Sequence, residues 1–190
     1  GELNQELFDQ VLGKDKAHNE EEFRAQIKET IAKQFEADSD YKFLIDVRNY
    51  AANKVGKLEF ADELMKRIML ENNKEKGEEF VAEHYDKSIE ELTWHLIKEK
   101  LVRANDIKVE QSDITEMAKE ATRAQFAQYG MINVPEELLE NYSKEMLKKQ
   151  ESVEALVNRA VEAKLCAVLK GQVTLNHKAV SAEEFNKMFE

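Results

Sequence analysis

The stretch EEEFRAQIKETIAKQFEADSDYKFLIDVRNYAAN, residues 20–53, decides the fold class of this chain. Its first apolar residues recur at every fourth position, as on one face of an α-helix: Phe23, Ile27, Ile31 and Phe35. The polar residues 38–40 interrupt this series before apolar residues resume, so Ser39 could cap a second helix. We favour a single helix over 20–53, which at about 1.5 Å per residue would be roughly 50 Å long. A helix of that length predicts an elongated molecule.

Helical patterns continue on both sides of this stretch. Apolar spacing, helix caps and turn residues predict seven further helices: residues 3–12, 61–73, 78–104, 112–129, a helix with Pro135 at its first position, 152–170, and a short helix after the capping box at Ser181. The segment 152–170 is apolar almost all round and should be the most buried helix. The chain has one Pro and six Gly, too few for a turn-rich β protein. We therefore predict an all-α fold over residues 1–190, without a linker that would divide it into domains.

The charge of the chain limits its partners. The formal net charge is −11, with charged residues at 35% and hydrophobic residues at 42% of the chain. An acidic surface repels phosphate and anionic lipid, so we expect neither nucleic acid nor membrane as a partner. A lone cysteine, Cys166, cannot form an intramolecular disulfide and fits a reducing, cytoplasmic compartment. The chain begins with Gly1 rather than Met, so we expect it to be part of a longer protein.

No motif for catalysis or metal binding is found. The four histidines, His18, His84, His95 and His177, lack the Glu-x-x-His and His-Glu-x-x-His spacings of helical metal sites. Cys166 lies in the most apolar segment, where a small buried hydrophobe is the expected role. All six glycines are isolated, so no phosphate-binding loop is present. We expect no cofactor, no metal ion and no enzymatic activity in this chain.

Apolar residues next to loops are the candidates for function. One set surrounds a helix end and the loop after it: Phe126, Tyr129, Met131 and Ile132. A second set begins a helix just after a polar turn: Phe80, Val81 and Tyr85. Exposed apolar groups of this kind mark interaction sites on proteins, and Met adapts to varied apolar partners. The alternative is that these residues belong to the core.

Four stretches, in this order and spacing, resemble the C-terminal domain of the trigger factor chaperones: Glu2–Phe8, Glu22–Lys28, Leu96–Ile107 and Val134–Tyr142, with the helix that follows to Thr174. The chain departs from the family at Ala61, where Pro is frequent. It also lacks the ribosome-docking signature Gly-Phe-Arg-x-Gly-x-x-Pro and any β-rich segment that could be the FKBP-like isomerase domain. Ribosome docking and prolyl isomerisation would then belong to domains missing here.

The resemblance implies a helical body with two protruding arms that enclose a crevice. It also implies an ATP-independent chaperone that holds nascent or unfolded polypeptides in the cytoplasm. By position, the residues that match client-contacting regions are Leu138, Leu139 and Tyr142, then Phe126, Tyr129 and Met131, and on another arm Phe80, Val81 and Tyr85. Whether the chain forms a homodimer is left open.

Two other functions are compatible with the sequence. The chain could be a non-catalytic helical scaffold that binds one folded protein partner. It could also be the core of a periplasmic chaperone with a related helical architecture. A scaffold would have one saturable, sequence-specific site, whereas a chaperone would bind many unrelated unfolded chains.

Overall fold

A computed structural model of the chain describes residues 3–131 and 133–189. Within these residues the chain forms eight α-helices and no β-strand, which confirms the predicted all-α fold. The helices are α1 Gln5–Leu12, α2 Glu20–Val55, α3 Asp62–Asn72, α4 Gly77–Ala104, α5 Gln111–Gln128, α6 Glu136–Met146, α7 Gln150–Lys170 and α8 Ala182–Lys187. No helix in this described part combines the length and the apolar character needed to cross a lipid bilayer.

Helix α2 is continuous, as predicted. It begins where the Asn19 side chain accepts a hydrogen bond from the Glu22 backbone N–H, and it ends before Gly56, whose φ is 72°. The polar residues in its middle do not start a new helix, because their carboxylates have other partners. Asp38 accepts a hydrogen bond from Gln34, four residues earlier, and Asp40 forms an ion pair with Lys170 of α7.

The chain divides into two compact units. Unit 1 comprises the residues up to Lys42 together with those from Ile107 onward, and unit 2 comprises Phe43–Asp106. The first boundary falls inside α2, and the second falls in the segment between α4 and α5. The two units are described separately below.

In unit 1, α5 packs against both α6 and α7. Helix α7 has the largest number of buried residues among the described helices, as predicted: Leu156, Ala160, Leu165, Cys166 and Leu169. A smaller cluster joins α1 to the start of α2, where the rings of Phe8 and Phe23 stack with centroids 4.7 Å apart and Ala17 is fully buried. Burial of these side chains is the main force that holds unit 1 together.

In unit 2, α3 packs against α4. Helix α4 buries Val81, Tyr85, Trp94 and Lys98, whereas α3 buries none of its residues. Most side chains of α3 are therefore in solvent, with Leu64 and Ile68 exposed and only Met65, Met69 and Leu70 half-buried.

One predicted helix start is wrong by one residue. Pro135 is not the first residue of α6 but its N-cap, with φ −55° and an extended ψ of 141°. Its carbonyl accepts hydrogen bonds from the backbone N–H groups of Leu138 and Leu139. Proline has no N–H to donate, so the position just before the helix suits it as well as the first helical position does.

Candidate functional site

The end of α5 is shaped by Gly130. Its φ of 81° lets the chain reverse direction, and its N–H donates to the Ala127 carbonyl at 3.0 Å. The next N–H, of Met131, donates to the Phe126 carbonyl, also at 3.0 Å. These two bonds form the Schellman motif, in which a positive-φ residue satisfies the last free carbonyls of a helix. The motif brings the backbone of Met131 back against Phe126.

Helix α6 adds a second aromatic ring to this place. The ring of Tyr142 meets the ring of Phe126 edge to face, with centroids 5.0 Å apart and an interplanar angle of 83°. Tyr142 remains 50% exposed, Met131 42% and Tyr129 78%. We call these four residues, Phe126, Tyr129, Met131 and Tyr142, the hairpin surface. Four residues that the sequence analysis selected are thus gathered at the junction of α5 and α6.

Another side of α6 is buried. Leu139 is 2% exposed, and Ser143, one helical turn later, is equally inaccessible. Helix α5, which packs on α6 and α7, also buries small residues at this spacing, Ala118 and Thr122. Small residues let two helices approach closely. Leu139 is therefore part of the contact between helices and cannot be reached by a ligand in this conformation, whereas Leu138 is half-buried.

An ion pair holds the first turn of α6 to α5. The Lys119 ammonium lies 2.5 Å from a carboxylate oxygen of Glu136, and Arg123 lies 3.9 Å from the other oxygen. The hydrogen bond from Lys119 lowers the pKa of Glu136, and the same bond raises the pKa of Lys119. Both groups therefore stay charged through the neutral range, and the pair fixes the orientation of α6 relative to α5.

The loop between these helices also contacts the beginning of the chain. The Asn133 side chain lies against Gly13, so close that a Cβ placed on Gly13 would be 2.5 Å from Asn133 Nδ2. Gly13 has φ 97° and ψ 157°, a conformation essentially restricted to glycine. Ile132, which the sequence analysis also selected in this loop, lies outside the described residues.

The second predicted set, in unit 2, is divided between surface and core. Phe80 is half-buried, with the Lys76 ammonium 4.4 Å from its centroid and the His84 ring centroid 4.2 Å away. Val81 and Tyr85 are buried on α4. A ligand can therefore reach the exposed part of Phe80, but it cannot reach the other two side chains in this conformation.

The Tyr85 hydroxyl has a structural partner. It donates a 2.6 Å hydrogen bond to Asp62 Oδ1 of α3, and Lys66 lies 5.1 Å from the centre of the ring. Burial, followed by this hydrogen bond and by the Asp62 charge, raises the pKa of Tyr85 to about 12. Tyr85 thus joins α3 to α4.

Unit 2 also contains a cleft that the sequence analysis missed. It has a volume of about 1220 Å³ and lies between the C-terminal half of α2, the link 56–61 and α4. Trp94, the single tryptophan of the chain, lines it together with Phe60 and Ile89. An Arg48–Glu91 ion pair of 2.8 Å bridges α2 and α4 within the unit. No local pattern could have identified the cleft, because its lining residues come from α2, the link 56–61, α3 and α4.

A second feature missed from the sequence is a chain of four aromatic rings in unit 1, which we call the ring cluster: Phe35 and Tyr41 of α2, and Phe185 and Phe189 of the C-terminal segment. The available signal was the four-residue spacing of the two C-terminal phenylalanines directly after a capping box. That spacing places both rings on one side of a helical turn.

No group of three or more His, Cys, Asp or Glu side chains within residues 3–131 and 133–189 is close enough to hold a metal ion. Cys166 is buried, as predicted. Burial, with a smaller contribution from Asp40, raises the pKa of its thiol, although Lys170 partly opposes this effect. The thiol therefore stays protonated, the form that is a poor nucleophile.

Comparison with known families gives one match. The family described as "Probable trigger factor, C-terminal domain" matches residues 39–189. The matched region includes the hairpin surface, the unit 2 cleft and the complete helices α3–α8. No curated protein and no solved structure matches this chain.

Proposed function

This chain belongs to the trigger factor C-terminal domain family, a chaperone-type domain, and from that premise we propose that it holds unfolded polypeptide segments at the hairpin surface. Binding uses no ATP and changes no covalent bond of the client. By family membership, the clients are nascent or newly released chains in the cytoplasm, and contact with the ribosome would depend on other domains.

The observation that carries this proposal is the exposure of aromatic and sulfur-containing side chains on an acidic protein. Tyr129 is 78% exposed although it adjoins the packed junction of α5 and α6. Removing apolar surface from water contributes roughly 25 cal/mol per Å², so a client segment that covers these side chains is stabilised by their burial. Tyr and Met suit varied clients, because the tyrosine hydroxyl can remain in water and the Met side chain adapts its shape.

Weak contacts at separate places suit the release of clients. Exposed apolar side chains also occur in unit 2, at Tyr50, Leu64 and Ile68. A client bound at one of these places is present at high effective concentration for binding at a second place. Several weak contacts together therefore hold a client chain that any single contact would release. Because each contact is weak, a client segment that begins to fold can leave without an energy source.

The test is suppression of aggregation when several unrelated, chemically denatured proteins are diluted into buffer. The wild-type chain should suppress light scattering, and the double variant Tyr129→Ser/Tyr142→Ser should do so less at equal concentration. The matched control is Gln125→Ser/Asn141→Ser, which changes exposed residues on the same two segments and leaves the rings in place. Circular dichroism verifies that all variants keep their helices.

Two results would count against the proposal. If the wild-type chain fails to suppress aggregation of any client at several-fold excess, holdase activity is excluded for this chain. If it suppresses aggregation but the tyrosine variant performs like the control, clients bind elsewhere, with the unit 2 cleft as the next place to test. Suppression limited to one client would instead favour the scaffold function.

A further inference from the structure

The C-terminal helix α8 is held on α2 by aromatic contacts. Two ring pairs connect the C-terminal segment to α2: Phe35 with Phe185 at 6.1 Å and Tyr41 with Phe189 at 6.0 Å between centroids. Within the C-terminal segment, the rings of Phe185 and Phe189 lie 5.2 Å apart. Among the described residues 182–189, no hydrogen bond or ion pair reaches α2. The polar bonds of α8 are local, such as the capping box between Ser181 and Glu184.

This contact is loosely packed. Tyr41 remains 61% exposed although Phe189 stacks on it, and helix α8 has no buried residue. An open groove of about 340 Å³ lies where residues 178–182 pass over Phe35 and Ser39 of α2. The docked segment therefore leaves part of this α2 surface uncovered.

Helix α8 can leave this surface without disturbing the rest of unit 1. It has six residues, and a helix of that length is not stable in water without tertiary contacts. It follows a link, residues 171–181, in which Val180 alone is half-buried and the other side chains are exposed. Undocking would therefore uncover the parts of the Phe35 and Tyr41 rings that Phe185 and Phe189 now contact, and leave the buried residues of α7 in place.

We propose that Phe35 and Tyr41 form a second client-binding surface, which takes segments with two aromatic residues one helical turn apart, and that α8 occupies this surface until a client displaces it. The inference rests on the proposed function. The docked segment itself shows what the surface accepts, since Phe185 and Phe189 are four residues apart and each contacts one ring of α2. A client segment with the same spacing can make the same two contacts.

The competition sets the size of the expected effect. A ligand that binds only when α8 has left the surface has an apparent affinity equal to its intrinsic affinity multiplied by the fraction of molecules with a vacant surface. Each aromatic pair changes the equilibrium between docked and undocked α8 by a factor of roughly 2 to 12. Loss of the Phe35–Phe185 and Tyr41–Phe189 pairs should therefore tighten ligand binding roughly fivefold or more.

The experiment uses the full chain and a fluorescein-labelled synthetic peptide with the sequence SAEEFNKMF, residues 181–189, followed by fluorescence anisotropy. The variant Phe185→Ser/Phe189→Ser, which undocks α8, should bind this probe at least about fivefold more tightly than the wild type. The matched control Met188→Ser changes an exposed residue of the same segment that makes no ring contact, and it should bind like the wild type. Adding Phe35→Ser/Tyr41→Ser to the undocked variant should abolish the gain.

A parallel measurement of aggregation suppression separates the two proposals. Equal probe affinity in the wild type and the undocked variant, in a chain that suppresses aggregation, overturns the inference and leaves the proposed function intact. A gain that survives the loss of both α2 rings also overturns it, because the probe then binds elsewhere. If the chain does not suppress aggregation but the probe binds as expected, the holdase function fails while α2 retains its site for an aromatic peptide.

Discussion

Replacing Gly13 with Ala should destabilise unit 1 through two separable effects. The backbone at Gly13 has φ 97° and ψ 157°, where a residue with a Cβ costs about 1 to 3 kcal/mol. The new Cβ would also lie 2.5 Å from Asn133 Nδ2 and 2.7 Å from its Cγ, so the Asn133 side chain must turn away. Forcing a side chain off its preferred rotamer adds about 0.5 to 1.5 kcal/mol. We therefore expect a loss of roughly 2 to 4 kcal/mol in the free energy of unfolding.

The assay is urea denaturation followed by far-ultraviolet circular dichroism, with Trp94 fluorescence as a second probe. Coincidence of the two transitions is the condition for assigning one free energy to the change. Gly77→Ala is the matched control, because Gly77 also has a positive φ, 75°, but no atom lies within 4 Å of its added Cβ. It should lose only about 1 to 2 kcal/mol, the cost of a left-handed backbone conformation.

A double variant distinguishes the two effects at Gly13. Combining Gly13→Ala with Asn133→Ala should recover the steric part, about 0.5 to 1.5 kcal/mol, and leave the backbone part. A Gly13→Ala variant no less stable than Gly77→Ala would refute the reasoning, because the contact with the α5–α6 loop would then contribute nothing. Full recovery in the double variant would show that the backbone at position 13 is not strained.

Three further predictions concern side chains of the core. Tyr85 should titrate at about 12 instead of the ordinary 10.0, chiefly because it is buried and then because it donates to Asp62. The contribution of the Tyr85 hydroxyl to the free energy of unfolding is therefore complete below pH 10 and is lost as the pH rises towards 12. The difference in tyrosinate absorbance between the wild type and Tyr85→Phe measures this titration, and a midpoint near 10 would contradict the prediction. Leu165→Ala, at a fully buried position, should lower the free energy of unfolding by about 2 to 5 kcal/mol. Leu64→Ala, on the exposed side of α3, should change it by less than about 0.5 kcal/mol. Similar losses for the two variants in urea denaturation would show that Leu165 is not in the core. The Cys166 thiol should react slowly with a thiol reagent in buffer and rapidly in urea, because it is buried and its pKa is raised; fast labelling of the folded chain would contradict its burial.

The helices could be predicted because their signals are local. The four-residue spacing in α2 and the apolar run of α7 determine which residues form helices, and the capping box at Ser181 marks the start of α8. Phe126, Tyr129 and Met131 were selected by a local signal too, as apolar residues around a helix end and a loop, but the positive φ of Gly130 that brings Met131 back to Phe126 was not used.

The rest depends on contacts between distant segments. Tyr142 and Leu139 lie three residues apart on α6, and the sequence alone did not show which of them is buried and which stays half exposed. Val81 and Tyr85 were selected with Phe80 because they follow a polar turn, yet they face the interior of unit 2. The ring cluster joins Phe35 to Phe185, near the other end of the chain. Apolar periodicity indicates local secondary structure and cannot predict a contact between residues so far apart in the sequence.

The division of unit 1 has a consequence for synthesis on the ribosome. Its first part ends at Lys42, and its remaining helices lie after Asp106, so unit 2 is translated in full before unit 1 can be completed. The ion pair between Asp40 and Lys170 joins residues 130 positions apart. At translation rates of about 5 to 20 residues per second, Asp40 waits roughly 7 to 26 seconds for its partner. The cluster of Phe8, Ala17 and Phe23 can pack during that interval, because all of its residues have already been made. The packing of α5 on α6 and α7 comes last, so a protein proposed to protect unfinished chains itself passes through an unfinished state while it is made.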